Sequence, residues 1–388
     1  MLPMSVQNCS MIDPEAAASR LEVADVATIG SYWPALKALA ADACEPNPFL
    51  SPVMLDAACR HLDETQSMKF CLVLSGNRLI GFMPIETQTG YARLPVTYLR
   101  TGLYRHCFLG TPLVRNGHEK EFFETIINAA NAAGLKGAFL QFRQMIEGGP
   151  LETALREVAS PHAYIAARWQ RACLHSDLPY EGYILQNIRG KKRKEWRRLT
   201  NRLSEEGEVQ FRTLQHSAEL DDWCEHFLRL EHDGWRGHGG SSLAADETGP
   251  AFLKEIVRSA HEAGQLHFLR LDVDDKCIGM LINFTAGGQG WSFKIAHDAE
   301  YARYSPGVML ELELTRQALD EKTMTRVDSC AQEDHPMIDK LWAERQAMCH
   351  VNVPLPGLSS RSASMLCRFL EETSERTRRM LGTKGVRA

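Results

Sequence analysis

The stretch Gly288–Gly307 reads GQGWSFKIAHDAEYARYSPG and carries the strongest local signal in the chain. Within it, the aromatic and apolar run Trp291–Ile295 predicts a β-strand. The apolar residues of Val308–Leu319 recur with helical spacing, so a helix is expected after a short turn. Pro306 suits the first position of that helix, because it has no N–H to lose there and its φ is already helical. Ser305, directly before it, is a favoured N-cap residue.

A helix that begins in this way offers a place for an anion. Its first backbone N–H groups have no partner within the helix and carry the positive end of the helix dipole. Gly307 adds no side chain that would keep a bulky group away, so a pyrophosphate could approach. Lys294 could contact an acceptor or a phosphate, or it could be an edge lysine that reaches into solvent. The predicted contacts are Lys294, Arg303, Tyr304, Ser305, Pro306, Gly307 and Val308.

Composition is that of an ordinary globular protein. The chain has 388 residues, of which 44% are apolar and 24% are charged, and this length suffices for two domains. A net charge of −5 gives no overall attraction to nucleic acid, which is not expected as a partner. No segment approaches the roughly 20 apolar residues of a membrane span, and the first 20 residues lack the pattern of an export signal. We therefore expect a cytoplasmic protein.

The 11 cysteines are scattered without a C-x-x-C pair, so neither a disulfide framework nor a metal site is expected.

The predicted elements fall into two similar halves, each a mixed sheet flanked by helices. The first half runs through Leu103–Val114 into its helix without a Ser-Pro-Gly sequence, so it is interpreted as a degenerate copy that completes the acceptor cleft. An unrelated domain with the same order of elements is the alternative. Near the end of the second half, Ile338–Ala347 is predicted to be a helix, and Ser362–Met380 a second, amphipathic one. The predicted units are residues 18–178, 179–207, 208–357 and 358–388.

A strongly basic segment lies between the halves. Residues 189–202 read RGKKRKEWRRLTNR and contain eight cationic side chains and one acidic one. Such a helix can be a solvated connection between domains, or it can attract a polyanion, a membrane surface or the phosphates of a cofactor. We favour attraction of an anionic substrate or cofactor, with association with the inner face of a membrane as a further expectation.

Three segments carry a family resemblance, namely Leu230–Gly237 (LEHDGWRG), Phe293–Gly307 (FKIAHDAEYARYSPG) and Asp328–Trp342 (DSCAQEDHPMIDKLW). They resemble the GNAT-superfamily acyltransferases that accompany the biosynthesis of cellulose and other exopolysaccharides. These enzymes are related to the Fem-type aminoacyltransferases. The resemblance covers Glu181–Val353 and implies an α/β fold of two tandem GNAT-like domains, of which the second binds acetyl-CoA or another acyl-CoA.

The resemblance also implies a mechanism of direct transfer. In such enzymes a backbone N–H of the fourth strand, here Trp291–Ala296, holds the thioester carbonyl. The superfamily's usual phosphate signature is Gln or Arg followed by x-x-Gly-x-Gly or Ala. Arg303 could begin it here, but Pro306 and Val308 occupy the glycine positions, so the donors that meet the phosphates are not fixed by the sequence.

A general base is needed to deprotonate the acceptor, and three residues are candidates. Glu231 lies at the end of a predicted helix, Asp328 at the end of a strand, and His335 in an acidic loop with a pKa near the working pH. Each has a structural alternative as a surface acid, a capping residue or a loop histidine. Cys330 could act as a covalent nucleophile if His335 activated it. The predicted substrate contacts are Trp235, Cys330 and Trp342.

Together these features predict an N- or O-acyltransferase that acts on a small-molecule or glycan acceptor, namely a sugar or sugar-lipid intermediate of an exopolysaccharide. One alternative is a Fem-like enzyme that uses aminoacyl-tRNA, although a long charged coiled-coil insertion in the second half is not seen. The other is a non-catalytic regulatory module. In that case a cyclic dinucleotide could bind the arginines near the end of the chain, Arg376, Arg378 and Arg379.

Overall fold

The computed structural model describes residues 19–234, 243 and 247–381, and for residues 374–381 it describes the backbone alone. The strands are β1 (Arg20–Ala24), β2 (Lys69–Ser75), β3 (Arg78–Tyr91), β4 (Leu94–Thr101), β5 (Leu113–Val114), β6 (Phe139–Ile146), β7 (Tyr164–Leu174), β8 (Val209–Thr213), β9 (Leu266–Val273), β10 (Lys276–Ala286), β11 (Gln289–His297), β12 (Arg326–Asp328) and β13 (Glu344–Pro354). The α-helices are α1 (Trp33–Ala41), α2 (Pro52–His61), α3 (Glu119–Ala129), α4 (Pro150–Val158), α5 (Tyr180–Asn187), α6 (Gly190–Ser204), α7 (Leu220–Gly234), α8 (Gly249–Glu262), α9 (Pro306–Leu319) and α10 (Leu358–Leu381).

All strands in the described part of the chain belong to one mixed sheet of 13 strands. Their order is β1-β2-β3-β4-β6-β13-β7-β12-β11-β10-β9-β8, with β5 paired to β3. The order is close to symmetric about its centre, because β4 and β6 pair in parallel in one half as β11 and β12 do in the other. Strands β13 and β7 lie between these two pairs and pair with each other. β13, from the end of the second half, also pairs with β6 of the first half, and β7, from the end of the first half, also pairs with β12 of the second half. The expected mixed α/β fold with two similar halves is confirmed, and the halves share one sheet.

The predicted helix Ile338–Ala347 is wrong. Only Ile338–Lys340 forms a short 3-10 helix, and the chain continues as strand β13 from Glu344. The local sequence Glu344–Met348 has helix-forming residues, but the segment pairs on both sides with β6 and β7, and tertiary pairing overrides local preference. The predicted basic and C-terminal helices are present as α6 and α10.

The second half places a different helix layer on each face of its sheet. Helix α9 packs through Leu310 and Leu314 on one face, in a core that includes Leu269, Leu281 and Val327. Helices α7 and α8 cover the other face, where the core includes Phe268, Met280, Phe284 and Phe293. Strand β11 lies between the two layers and leads directly towards the start of α9.

Candidate active site

Strands β11 and β12 separate partway along β11. They pair in parallel only from Gln289 with Arg326 to Trp291 with Asp328. Beyond that point β11 continues to His297, whereas β12 ends. A gap therefore opens at the carboxyl end of β12, which is where open α/β sheets place their ligands.

A β-bulge marks the part of β11 that borders this gap. Ile282 of β10 faces Lys294, but the next residue, Asn283, faces Ser292, so Phe293 is an extra residue in β11. The extra residue of a bulge is left out of the regular ladder. The bulge lies in the segment predicted to hold an acyl carbonyl, where no described strand pairs with the edge of β11 that faces the gap.

Helix α9 begins at the residue that the sequence predicted. Pro306 is its first residue, and Ser305 adopts a left-handed backbone with a φ of 58°. The Ser305 side chain makes no capping hydrogen bond. Instead, the backbone carbonyl of Ser305 accepts from the N–H groups of Val308 and Met309, at 3.0 and 3.3 Å. Within the described part of the chain, the Gly307 N–H makes no such bond. The Gly307 N–H is therefore available in this first turn to donate a hydrogen bond to a ligand.

The space beside Gly307 is narrow. A Cβ atom at this position would lie 3.4 Å from Ile295 Cδ1 and 3.6 Å from Met337 Sδ, so a methyl group would fill it. The glycine thus leaves a cradle beside an open N–H, and this arrangement fits a phosphate group.

The basic helix α6 ends beside the start of α9. Glu206, two residues past α6, accepts hydrogen bonds from the Tyr304 hydroxyl and from Arg303 Nη2, the latter at 3.1 Å. The Arg303 guanidinium also lies over the Tyr304 ring, 4.8 Å from its centroid. The predicted contact Arg303 is therefore engaged in an exposed ion pair, and the cations of α6 add positive charge at the same end of the molecule.

Asp328 forms a buried ion pair. Its Oδ2 accepts from Arg171 Nη2 at 2.6 Å and its Oδ1 from the Cys330 N–H at 2.9 Å. Arg171 Nη1 in turn donates to the Phe108 carbonyl at 2.7 Å. These bonds join β12, β7 and a loop of the first half at the point where β11 and β12 separate. The geometry suits a residue that holds the site together, because both carboxylate oxygens are occupied.

Glu231 of α7 is held in a similar way. Its Oε1 accepts from Lys294 Nζ at 2.9 Å and its Oε2 from the Leu243 N–H at 2.9 Å. Both side chains are largely buried. The pair ties α7 to β11 next to the bulge, so Lys294 lies on the α7 face and away from the start of α9.

His335 and Cys330 follow β12 on the far side of the gap. Burial lowers the pKa of the half-buried His335, opposed by the nearby Asp339, so the imidazole is mainly neutral at neutral pH. Its Nδ1 lies 3.4 Å from the N–H groups of Met337 and Ile338. Burial raises the pKa of the Cys330 thiol well above its usual range, which does not favour a thiolate nucleophile.

The two tryptophans predicted to bind substrate lie in different situations. Trp342 is only 1% exposed and donates from Nε1 to Thr315 Oγ1 at 3.0 Å, so in this structure it packs in the core against α9. Trp235 lies outside the described residues.

A loop of the first half reaches the bulge, although few features of the sequence indicate this contact. The His106 ring lies 5.9 Å from the rings of both Phe252 and Phe293, and the Phe108 ring lies 6.0 Å from that of Phe293. His106 is 9% exposed and has a left-handed backbone. The signal that could have revealed it is the cluster LYRHCF at residues 103–108, which combines aromatic side chains with a titratable one.

Sequence comparison matches part of this site to a known domain family. Residues 190–335 match the family described as "Acetyltransferase (GNAT) domain". Over these residues the chain is similar to GNAT-type acetyltransferase domains. The matched residues begin with α6 and extend through β11, α9 and β12 to His335, so the basic helix belongs to the matched region. No curated protein sequence matches the chain.

Solved structures extend the likeness to both halves. The crystal structure of FemX has a TM-score of 0.55 at 9% identity, and the match covers 83% of this chain and 96% of that one. A conserved protein of unknown function from Bacteroides thetaiotaomicron VPI-5482 has a TM-score of 0.50 at 10% identity, with 83% and 97% covered. A tandem GNAT protein from the clavulanic acid biosynthesis pathway has a TM-score of 0.43 at 13% identity, with 87% and 99% covered. At these identities the likeness concerns the fold alone.

Among the described residues, no helix combines the length and the apolar character needed to cross a membrane.

Proposed function

We propose that the chain is an acyl-CoA-dependent N- or O-acyltransferase, with acetyl-CoA as the expected donor. The observation that carries this proposal is the continuous path along β11, from the bulge at Phe293 past the gap beside β12 to the open N–H of Gly307. The bound donor would supply a thioester-activated acyl group. Gly307 and the cations of α6 would hold its phosphates, and a β11 backbone N–H at the bulge would polarise the acyl carbonyl.

The acceptor would approach on the α7 and α8 side of the bulge, where His106 and Phe108 of the first half lie. Proton removal from it requires a base that can take up a proton near neutral pH. The oxygens of Asp328 and Glu231 are engaged in buried ion pairs, whereas His335 is mainly neutral. We therefore place His335 first among the three candidate bases. The resemblance to exopolysaccharide-linked enzymes supports a sugar or sugar-lipid acceptor.

A second candidate is transfer from an aminoacyl donor. The fold shared with FemX over most of the chain favours it. Helix α7 ends at Gly234 and α8 begins at Gly249, and this interval is too short for a coiled-coil arm. The same donor site would serve both reactions, so the donor that binds distinguishes them.

Donor binding is the direct test of this function. We expect acetyl-CoA to raise the unfolding temperature, because a ligand at about 100 times its Kd stabilises the native state by about 2.7 kcal/mol. Differential scanning fluorimetry with acetyl-CoA, CoA and ATP would measure this shift. ATP is the control for unspecific binding of phosphates. An equal shift with ATP, or none with acetyl-CoA, would contradict the proposal.

The two ends of α6 are expected to act differently. The helix is roughly 22 Å long, and only its last turns lie near the start of α9. Replacing Arg197, Arg198 and Arg202 by Ser should weaken CoA binding and flatten its dependence on salt, because exposed charges act through a field that salt screens. Replacing Lys191, Lys192 and Lys194 by Ser should spare CoA binding and weaken binding to anionic vesicles or to an anionic acceptor.

Isothermal titration at two salt concentrations and vesicle sedimentation would measure these effects. A variant with Lys37, Lys136 and Arg361 replaced by Ser is the control, since it removes the same charge from exposed positions elsewhere. If all three variants behave alike, α6 is a solvated helix without a binding role.

A further inference from the structure

Glu311 lies in the second turn of α9, on the side of the helix that faces the gap between β11 and β12. Residues four apart share a face of a helix, and Glu311 is four residues after Gly307 and four before Thr315. Gly307 faces a side chain of β11 and Met337, whereas Thr315 faces Trp342. Glu311 is therefore bracketed by β11 on one side and by the segment after β12 on the other.

The Glu311 carboxyl is buried without a partner for one of its oxygens. The residue is 4% exposed, and its Oε2 has no hydrogen-bond partner among the residues that the structure describes. Burial raises its pKa to about 8, so the group is mainly protonated at neutral pH. Native proteins contain few buried polar atoms of this kind, so each has a physical reason.

Two further unpaired polar atoms lie on the same face of the sheet. The side chains of Asn283 and Ser292 share a face because these residues are opposite each other in β10 and β11. Asn283 Nδ2 lies 3.1 Å from His267 Nδ1, and His267 Nε2 lies 2.8 Å from Gln317 Oε1 of α9, so this is the α9 face. Asn283 Oδ1 and Ser292 Oγ are buried without a partner within the described part of the chain.

We propose that Glu311 is a specificity-determining residue of the donor site and that it binds an N–H group of the acyl donor. This inference rests on the proposed function, since it names the chemistry that the same site recognises. A simple alkyl group would leave the carboxyl unpaired after binding, whereas an N–H donor gives an oxygen of Glu311 its missing partner.

The N–H group has two possible sources, which differ in their effect on the proton of Glu311. An amide in the arm of CoA is neutral, so it leaves this proton in place. The amine of an aminoacyl group is cationic near neutral pH and favours the ionised carboxylate, so its binding releases the proton. Titration calorimetry at pH 7 in buffers of different ionisation enthalpy counts the protons released.

The test compares Glu311→Met, which removes both oxygens, with Glu311→Gln, which keeps one acceptor without the possibility of charge. The ligands are CoA, acetyl-CoA and a stable thioether analogue of glycyl-CoA. We expect Glu311→Met to raise the unfolding temperature of the free protein and to weaken binding at least about ten-fold. If the arm amide is the partner, Glu311→Gln binds all three ligands nearly as the wild-type protein does. If the amine is the partner, the wild-type protein binds the glycyl analogue more tightly than acetyl-CoA, and Glu311→Gln does not show this preference.

Glu45→Gln provides the matched control. Glu45 is a buried carboxyl of the first half whose Oε2 also lacks a partner among the described residues, and burial raises its pKa to about 7. Its replacement should leave binding of all three ligands unchanged. If the wild-type protein binds the ligands and Glu311→Met binds them equally well, the inference about Glu311 is wrong and the proposed function stands. If the wild-type protein binds none of them, the proposed function fails, and the inference about Glu311 fails with it.

Discussion

Replacing Asp328 by Ala is expected to lower the free energy of unfolding by about 3 to 5 kcal/mol, because it leaves the charge of Arg171 buried and unpaired. The two side chains are 4% and 7% exposed and lie 2.6 Å apart. The change also removes the acceptor of the Cys330 N–H and frees the loop that Arg171 holds through the Phe108 carbonyl. Urea denaturation followed by circular dichroism would measure the loss.

Two further variants separate the buried charge from other effects. Replacing both partners, as Arg171→Met with Asp328→Leu, should return the stability to within about 2 kcal/mol of the wild-type value, since no buried charge remains. Asp221→Ala breaks the exposed pair with Arg258 and should cost at most about 1 kcal/mol. A stable, folded Asp328→Ala protein without activity would instead support Asp328 as the base.

Replacing Gly307 by Glu is expected to weaken CoA binding by about two orders of magnitude or more. The new side chain would fill the cradle between Ile295 and Met337 and place a negative charge at the backbone N–H that should meet a phosphate. Isothermal titration with CoA would measure the affinity, and circular dichroism would show whether the fold is intact.

Two substitutions divide this effect into its parts. Gly307→Gln has the same bulk without the charge, so the difference between Gln and Glu measures the electrostatic part. Gly307→Ala adds only a methyl group at ordinary contact distance and should keep the fold, with a smaller loss of affinity. Unchanged CoA affinity in Gly307→Glu would move the donor site away from the start of α9.

The sequence predicted those parts of the site that local patterns determine. The strand at Trp291, the helix start at Pro306 and the order of the elements follow from apolar spacing and from backbone preferences of single residues. A helix at the basic segment was also predicted, and Trp196, Leu199 and Leu203 have the helical spacing that supports it. Its position beside α9 was not, because it depends on the contact of Glu206 with Tyr304.

The remaining features depend on contacts between residues distant in sequence. The strand β13 is stabilised by pairing with β6 and β7, and nothing within Glu344–Pro354 shows this. Likewise, Asp328 was a candidate base because the sequence does not show its ion pair. The partner, Arg171, lies 157 positions away. Glu311 was not predicted, because in sequence it is one acidic residue among the polar positions of an amphipathic helix, and only its burial distinguishes it.

The central position of β13 determines when this protein can fold during its synthesis. Strands β6 and β7 are complete once residue 174 has been made, yet the strand that fills the space between them begins only at residue 344. Until then the nascent chain carries unpaired strand edges beside apolar surface, which is the state that promotes aggregation. We therefore expect the sheet to close only after translation of β13, and a chain truncated before Glu344 to depend on chaperones or to be insoluble.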